Sequence, residues 1–168
     1  SQWISSPQVR NFSHLLRGEY DALMVGINTI IKDDPLLTVR HSNWRGKRLM
    51  RIIIDSKLRF PLQSKILTSL AKGEILIFTL NQSSQKKAAA LRKNGVEVIT
   101  FPSSSFKIDL NEVLRYLGQR GISSVMVEGG GSLFTSLLEQ RLVDKILLAI
   151  APKLIGGKDA PSFFQGKE

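Results

Sequence analysis

Short strand-like runs alternate along this chain with helix-patterned segments, and most of the runs are apolar on both faces. They are Asp21–Gly26, Arg48–Asp55, Glu74–Thr79, Val96–Phe101 and Ser124–Glu128. A strand wetted on one face alternates polar and apolar residues, whereas a strand covered on both faces does not. The pattern therefore predicts an α/β class with a mainly parallel central sheet and helices on both faces. The helical segments carry their own punctuation. Ser5-Ser6-Pro7 precedes a stripe of Val9, Phe12, Leu15 and Leu16, so a helix is expected to about Arg17, ended by Gly18. A helical turn from Ile27 to Lys32 stops at Asp33-Asp34-Pro35. Ser83–Lys93 closes at Asn94-Gly95, Asp109 caps a helix reaching Tyr116 to Arg120, and Leu133, Phe134, Leu137 and Leu138 mark a last helix face. Lys145–Ala151 is apolar after its first residue.

The 168 residues are 42% hydrophobic and 23% charged, which excludes a disordered chain and suits one domain. No run approaches the roughly 18 apolar residues of a membrane-spanning helix, and Ser1-Gln2-Trp3-Ile4 opens nothing like a signal peptide. The expectation is a soluble, cytoplasmic protein without internal repeats. The absence of cysteine excludes disulfides, thiolate metal sites and cysteine nucleophiles. Lys and Arg number 24 against 14 Asp and Glu, a net charge of +10, so an anionic partner is expected: nucleic acid, a membrane surface or a phosphorylated small molecule.

The sharpest local signal is Glu128-Gly129-Gly130-Gly131-Ser132 between a strand and a helix. Glycines let a backbone approach a ligand closely, and the helix start offers N–H groups that suit a pyrophosphate. A tight connection of strand to helix is the plainer alternative. Phe134 occupies the position where a dinucleotide fingerprint or a nucleophile elbow needs glycine, and no Gly-Lys-Ser or Gly-Lys-Thr follows to make a P-loop. Thr29 shares a helical face with Asp33. Arg17 and Arg40 lie at element ends, where guanidinium groups can grip a phosphate, although isolated arginines are more often solvated. Ser56, Lys57 and Arg59 follow a strand, where doubly wound sheets bind ligands, and suit a further phosphate. His14 and His41 have no carboxylate or second histidine at ligand spacing, so no triad or metal site is assembled. Arg40–Arg51 holds five cations around Trp44, which fits either a nucleic-acid contact or a solvated basic loop.

These residues together resemble one family. Ser1-x-Trp3-Ile4, Arg17, the run from Asp21 through Gly26, Thr29 and Asp33-Asp34-Pro35 to Arg40, Ile54-Asp55-Ser56, Glu128-Gly129-Gly130-Gly131 and Pro152-Lys153-Leu154-Ile155-Gly156-Gly157 resemble the reductase domain of bacterial riboflavin biosynthesis. The resemblance implies a dihydrofolate-reductase-like fold. It also implies NADPH-dependent reduction of the ribosyl group of 5-amino-6-(5-phosphoribosylamino)uracil to ribityl. By the same resemblance Trp3, Thr29, Asp33, Ser56 and the turn Gly130, Gly131, Ser132, Leu133, Phe134, Thr135 and Ser136 contact NADPH. Ser1, Arg17, Leu37, Arg40 and Glu128 line the substrate site, with Glu128 orienting the sugar or handling its proton. Members of this family carry an earlier strand with a site lysine and continue past Gly156-Gly157, so a single domain lacking its first strand and its C-terminal strands is expected. The parent chain is expected to carry an N-terminal deaminase domain and to form a homodimer, with neither nucleic acid nor membrane as partner. Another NADPH oxidoreductase of the same fold stands as the alternative, and a basic nucleic-acid-binding module behind it.

Overall fold

A computed structural model describes residues 5–40, 44, 46, 48–102 and 107–152. α1 (Pro7–Glu19) starts where the sequence places it, with the Ser6 hydroxyl accepting from the Val9 amide at 3.3 Å and Pro7 in the first turn. β1 (Ala22–Gly26) runs directly into α2 (Ile27–Asp33), which Asp34 ends in a left-handed conformation, φ 41°. β2 (Met50–Ile54), a 3-10 helix (Lys65–Lys72), β3 (Ile75–Leu80), α3 (Gln85–Lys93) and β4 (Glu97–Phe101) follow. α4 (Leu110–Gln119), β5 (Val125–Val127) and α5 (Gly131–Glu139) complete the described elements.

The five strands are all parallel, in the order β4-β3-β2-β1-β5. From β1 the chain steps outward through β2, β3 and β4, and then returns to place β5 on the other side of β1. Strand order therefore reverses between β1 and β5.

Successive side chains on these strands enter two separate cores, which explains why the runs are apolar on both faces. Leu23, Val25, Ile53, Ile75 and Ile77 pack with Ile30 of α2 and Ala88 and Leu91 of α3. On the other face Ala22, Met24, Ile52, Leu76 and Phe78 pack with Val113 and Leu117 of α4 and Leu133 and Leu137 of α5. Each fully buried Val, Leu, Ile or Phe contributes about 1.5–3 kcal/mol. A one-residue slip of register would exchange the two sets.

Four local features depart from the sequence reading. Gly18 lies inside α1, and a Cβ there would meet the Trp44 ring at 2.4 Å, so the glycine admits the indole and does not end the helix. Val9, Phe12 and Leu15, expected as the buried stripe, stay 38%, 51% and 37% exposed. The 3-10 helix has no counterpart among the expected elements; Ile66 and Ser69 are its buried residues. Lys145–Ala151 forms no strand, and its Ile146, Leu147, Leu148 and Ile150 are exposed.

Arg51 leaves the basic surface altogether. It is fully buried on β2 and donates to the Ser69 hydroxyl at 2.6 Å, to the carbonyls of Ser69 at 3.1 Å and Leu36 at 3.4 Å, and to the Gly73 carbonyl. Burial pulls its pKa down to about 10. Among the described residues no helix is long and apolar enough to cross a membrane.

Candidate functional site

In a doubly wound sheet the ligand crevice opens beyond the carboxyl ends of the strands, where their order reverses. Here that place lies between Gly26 and Glu128. The Glu128 amide donates to the Met24 carbonyl at 3.0 Å, continuing the β1–β5 ladder, so the carboxylate leaves from a fixed backbone. Gly129 (φ 72°) and Gly130 (φ 89°) then turn the chain into α5 in conformations that favour glycine. A Cβ on Gly129 would meet Thr29 Oγ1 at 2.9 Å, and one on Gly130 would lie 3.9 Å from the Gly26 amide nitrogen.

The turn thus rests on the first turn of α2, bringing Thr29 against the glycines, with Asp33 exposed one helical turn farther along. At the start of α5 the Leu133 and Phe134 amides both donate to the Gly130 carbonyl, at 2.9 and 3.1 Å. Leu133 sends its side chain into the core, Ser132 is exposed, and Gly131, Phe134, Thr135 and Ser136 are half-buried.

A second concavity continues along the same sheet edge. Ser56, Lys57, Leu80, Gln82, Ser83 and Ser84 line a cavity of about 340 Å³ beyond β2 and β3. The Ser83 hydroxyl bonds the Thr79 hydroxyl at 2.7 Å and donates to the Ser56 carbonyl at 3.3 Å, while the Ser84 hydroxyl caps α3. Asp55 is fully buried beneath this loop, with Oδ2 accepting from the Phe60 amide at 2.8 Å and Oδ1 without a protein partner. Arg59 does not line the cavity. Its guanidinium turns to Asn28 Oδ1 at 2.8 Å.

On the α1 side of the turn, Arg17 forks onto Glu128, Nε to Oε1 at 2.7 Å and Nη2 to Oε2 at 2.5 Å. Its Nη1 donates to the Thr38 carbonyl at 3.1 Å, and the Ser13 hydroxyl adds a longer contact to Glu128 Oε1 at 3.5 Å. The sequence reading placed both Arg17 and Glu128 in the substrate site; what it missed is that each is the other's partner. Leu37 is buried in the core with φ 51°, so only its backbone is available on the loop that leads to exposed Arg40.

His14, dismissed from sequence for want of a ligand partner, sits within this group. Its Nδ1 lies 3.3 Å from Arg17 Nη1 and accepts from the Arg40 amide at 3.4 Å. Ser1 and Trp3 lie outside the described residues, as do His41 and residues 153–157 of the last motif. Trp44 is seated on Gly18, and Arg51 is internal. Among the described residues of the basic run, Trp44 and Arg51 thus point to different surroundings.

The model of the RibD C-terminal domain matches residues 1–168. The chain belongs to that family. The riboflavin biosynthesis protein RibD of Actinobacillus pleuropneumoniae is 35% identical over 167 residues, 99% of this chain and 44% of the relative. The 2,5-diamino-6-ribosylamino-4(3H)-pyrimidinone 5′-phosphate reductase of Archaeoglobus fulgidus is 36% identical, covering 90% of this chain and 71% of that protein. Among solved structures, Acinetobacter baumannii RibD form 2 superposes with a TM-score of 0.82 at 26% identity, over 99% of this chain and 44% of the other. This RibD C-terminal domain therefore spans less than half the length of the RibD chains it matches, and it has their dihydrofolate-reductase-like α/β fold.

Proposed function

We propose that this RibD C-terminal domain catalyses the NADPH-dependent reduction of the ribosyl group of 5-amino-6-(5-phosphoribosylamino)uracil to ribityl, in riboflavin biosynthesis. The observation that carries this reading is the Arg17-held Glu128 carboxylate standing next to the Gly129–Gly131 turn at the β1–β5 reversal. The family match over the whole chain supports it.

The residues present suit the cofactor. The glycine turn lets the backbone pack closely on Thr29 and Gly26, and the helix that follows suits a pyrophosphate. Thr29, Asp33 and Gly130 to Ser136 are assigned to that half of the cofactor, and Ser56 to the other. Sites for NAD commonly hold the ribose with an acidic side chain near the end of the second strand. Here Asp55 is buried on the Phe60 amide, and the cavity beside it is lined by Lys57 with Ser56 and Ser84, a set suited to a 2′-phosphate.

NADPH, when bound, supplies the hydride to C1′ of the sugar. What the protein must do is position the sugar and manage protons. Opening the furanose moves a proton from the bridging nitrogen to the ring oxygen and leaves a C1′=N imine; hydride addition at C1′ then requires one further proton, drawn from solvent, on that nitrogen. Glu128, fixed by the Arg17 fork and by its own backbone bond to β1, is assigned to orient the sugar or handle that proton. Arg40, exposed at the end of the loop, is assigned to the substrate phosphate, and Arg17 is assigned to the substrate site as the group that holds Glu128.

The test is NADPH absorbance loss on adding the phosphoribosylaminouracil, with the 2,5-diaminopyrimidinone counterpart as a parallel arm. Oxidation dependent on the uracil supports the assignment. A folded, cofactor-binding protein that oxidises NADPH with neither pyrimidine contradicts it, and activity with the diaminopyrimidinone alone moves the substrate to that compound.

A further inference from the structure

His14 has no part in the function just proposed, yet it touches both arginines assigned to the substrate. We infer that His14 is a positioning residue of the substrate site: one unprotonated ring nitrogen holds the Arg40 backbone and the Arg17 guanidinium together, and protonating it loosens the site. The inference rests on the substrate-site reading above.

The hydrogen bonds define the tautomer. The Arg40 amide, 3.4 Å from Nδ1, and Arg17 Nη1, 3.3 Å from it, are groups that only donate. Nδ1 must therefore accept, which puts the ring proton on Nε2. The two donors come from different elements, α1 and the loop after α2. Arg40 lies 26 residues beyond His14, and its backbone is the end of the stretch that turns at Leu37. Arg17, one helical turn from His14, has its remaining nitrogens on Glu128. His14 thus ties the phosphate-facing loop to the arginine that fixes the carboxylate.

Four groups face the ring: the Arg17 and Arg40 cations, and opposing them the Glu128 carboxylate and the Thr38 carbonyl. The first influence on the ring is burial, followed by the two arginines, and together they hold its pKa below 6.5 against the pull of Glu128 and Thr38. A proton on Nδ1 abolishes its acceptor role and adds a like charge beside Arg17. Because the folded chain resists that proton more than the unfolded chain does, this group's contribution to stability falls as pH drops from about 6.5 toward the lowered folded value.

The experiment measures the substrate KM and the NADPH Kd from pH 5 to 8 for the unaltered protein, His14→Asn and His14→Leu. Asparagine offers an oxygen near the Nδ1 position and does not titrate. His14→Leu is expected to raise KM about tenfold at neutral pH, the loss of a hydrogen bond to a charged group, without moving the NADPH Kd. His14→Asn is expected to raise KM less and to flatten the extra acid-side rise. The substrate phosphate, which titrates near pH 6, shifts every variant alike.

Identical KM–pH profiles for the unaltered protein and His14→Asn overturn the inference, as does an unchanged KM in His14→Leu. Nitrogen-15 shifts of the ring provide a reading independent of turnover. The Nε2–H tautomer at pH 7.5 is expected, and Nδ1–H overturns the inference. A protein inert toward the pyrimidine but showing the expected tautomer refutes the proposed function and leaves the ring geometry standing.

Discussion

Arg17 closes a two-point fork on the Glu128 carboxylate across 111 residues of sequence, Nε to Oε1 at 2.7 Å and Nη2 to Oε2 at 2.5 Å. The pair is mostly buried, with side-chain exposures of 13% and 22%, so the fork keeps much of the strength that water takes from a surface ion pair. With Nη1 on the Thr38 carbonyl, all three guanidinium nitrogens have partners. Arg17 is thereby set to aim Glu128, and Arg40 is the more exposed cation.

That division predicts different kinetic signatures. Arg17→Lys keeps the charge but cannot form the fork, so kcat is expected to fall roughly 10- to 100-fold, the equivalent of about 1.5–3 kcal/mol. Arg40→Ala is expected to raise the substrate KM with kcat less affected, and neither change should move the NADPH Kd. Steady-state kinetics with a parallel NADPH titration separates these outcomes. A fall in NADPH affinity for either variant would place that arginine in the cofactor subsite.

Gly129→Ala introduces a Cβ that meets Thr29 Oγ1 at 2.9 Å from a backbone at φ 72°. The left-handed conformation alone costs about 1–2 kcal/mol for a residue with a Cβ. The expected outcome is a folded protein of lower Tm whose NADPH affinity drops at least tenfold, read by cofactor fluorescence. Gly121 has φ 76° and nothing within 4 Å of its Cβ, so Gly121→Ala is the matched control, with a lower Tm and unchanged cofactor affinity.

Lys57 is the cation lining the cavity beside Ser56 and Ser84. Lys57→Glu places a negative charge where the 2′-phosphate is assigned, so NADPH affinity is expected to fall roughly tenfold or more while NADH affinity changes little. Titrating both cofactors at one salt concentration checks this. Equal losses for the two would remove the phosphate from this cavity.

Arg51→Met replaces a buried cation with an apolar side chain of similar length but leaves the Ser69, Gly73 and Leu36 carbonyls without their donor. Unsatisfied buried acceptors cost about 1–3 kcal/mol each, so urea unfolding is expected to show a clear loss of stability despite removal of the buried charge. An unchanged midpoint would mean that those carbonyls find other donors.

Five strands were legible because residues such as Ile52, Ile53, Leu76 and Ile77 are apolar at consecutive positions, which burial on both faces demands. Helix starts were legible where a cap was local, as at Ser6 and Asp109, and the start expected at Ser83 falls two residues before Gln85, which Ser84 caps. The 3-10 helix was not. Its N-terminus is held by Asp34, whose carboxylate accepts from the Ser64 hydroxyl at 2.6 Å and the Lys65 amide at 2.9 Å from a position 30 residues away. Gly18 looked like a stop signal because the partner that requires it, Trp44, is remote in sequence. The site shows the same division: the glycine turn announced itself, whereas the pairing of Arg17 with Glu128 and the seat of His14 arise only when β5 returns beside β1.

The most direct measurement uses NADPH deuterated at the transferable C4 position of its nicotinamide ring. After a single turnover with 5-amino-6-(5-phosphoribosylamino)uracil, the ribitylamino product is examined by mass spectrometry and NMR. One deuterium at C1′ of the ribityl chain is the expected result, with Glu128→Gln lowering the rate of its appearance. A product without deuterium at C1′, or the label elsewhere in the molecule, contradicts hydride delivery to the sugar at this site.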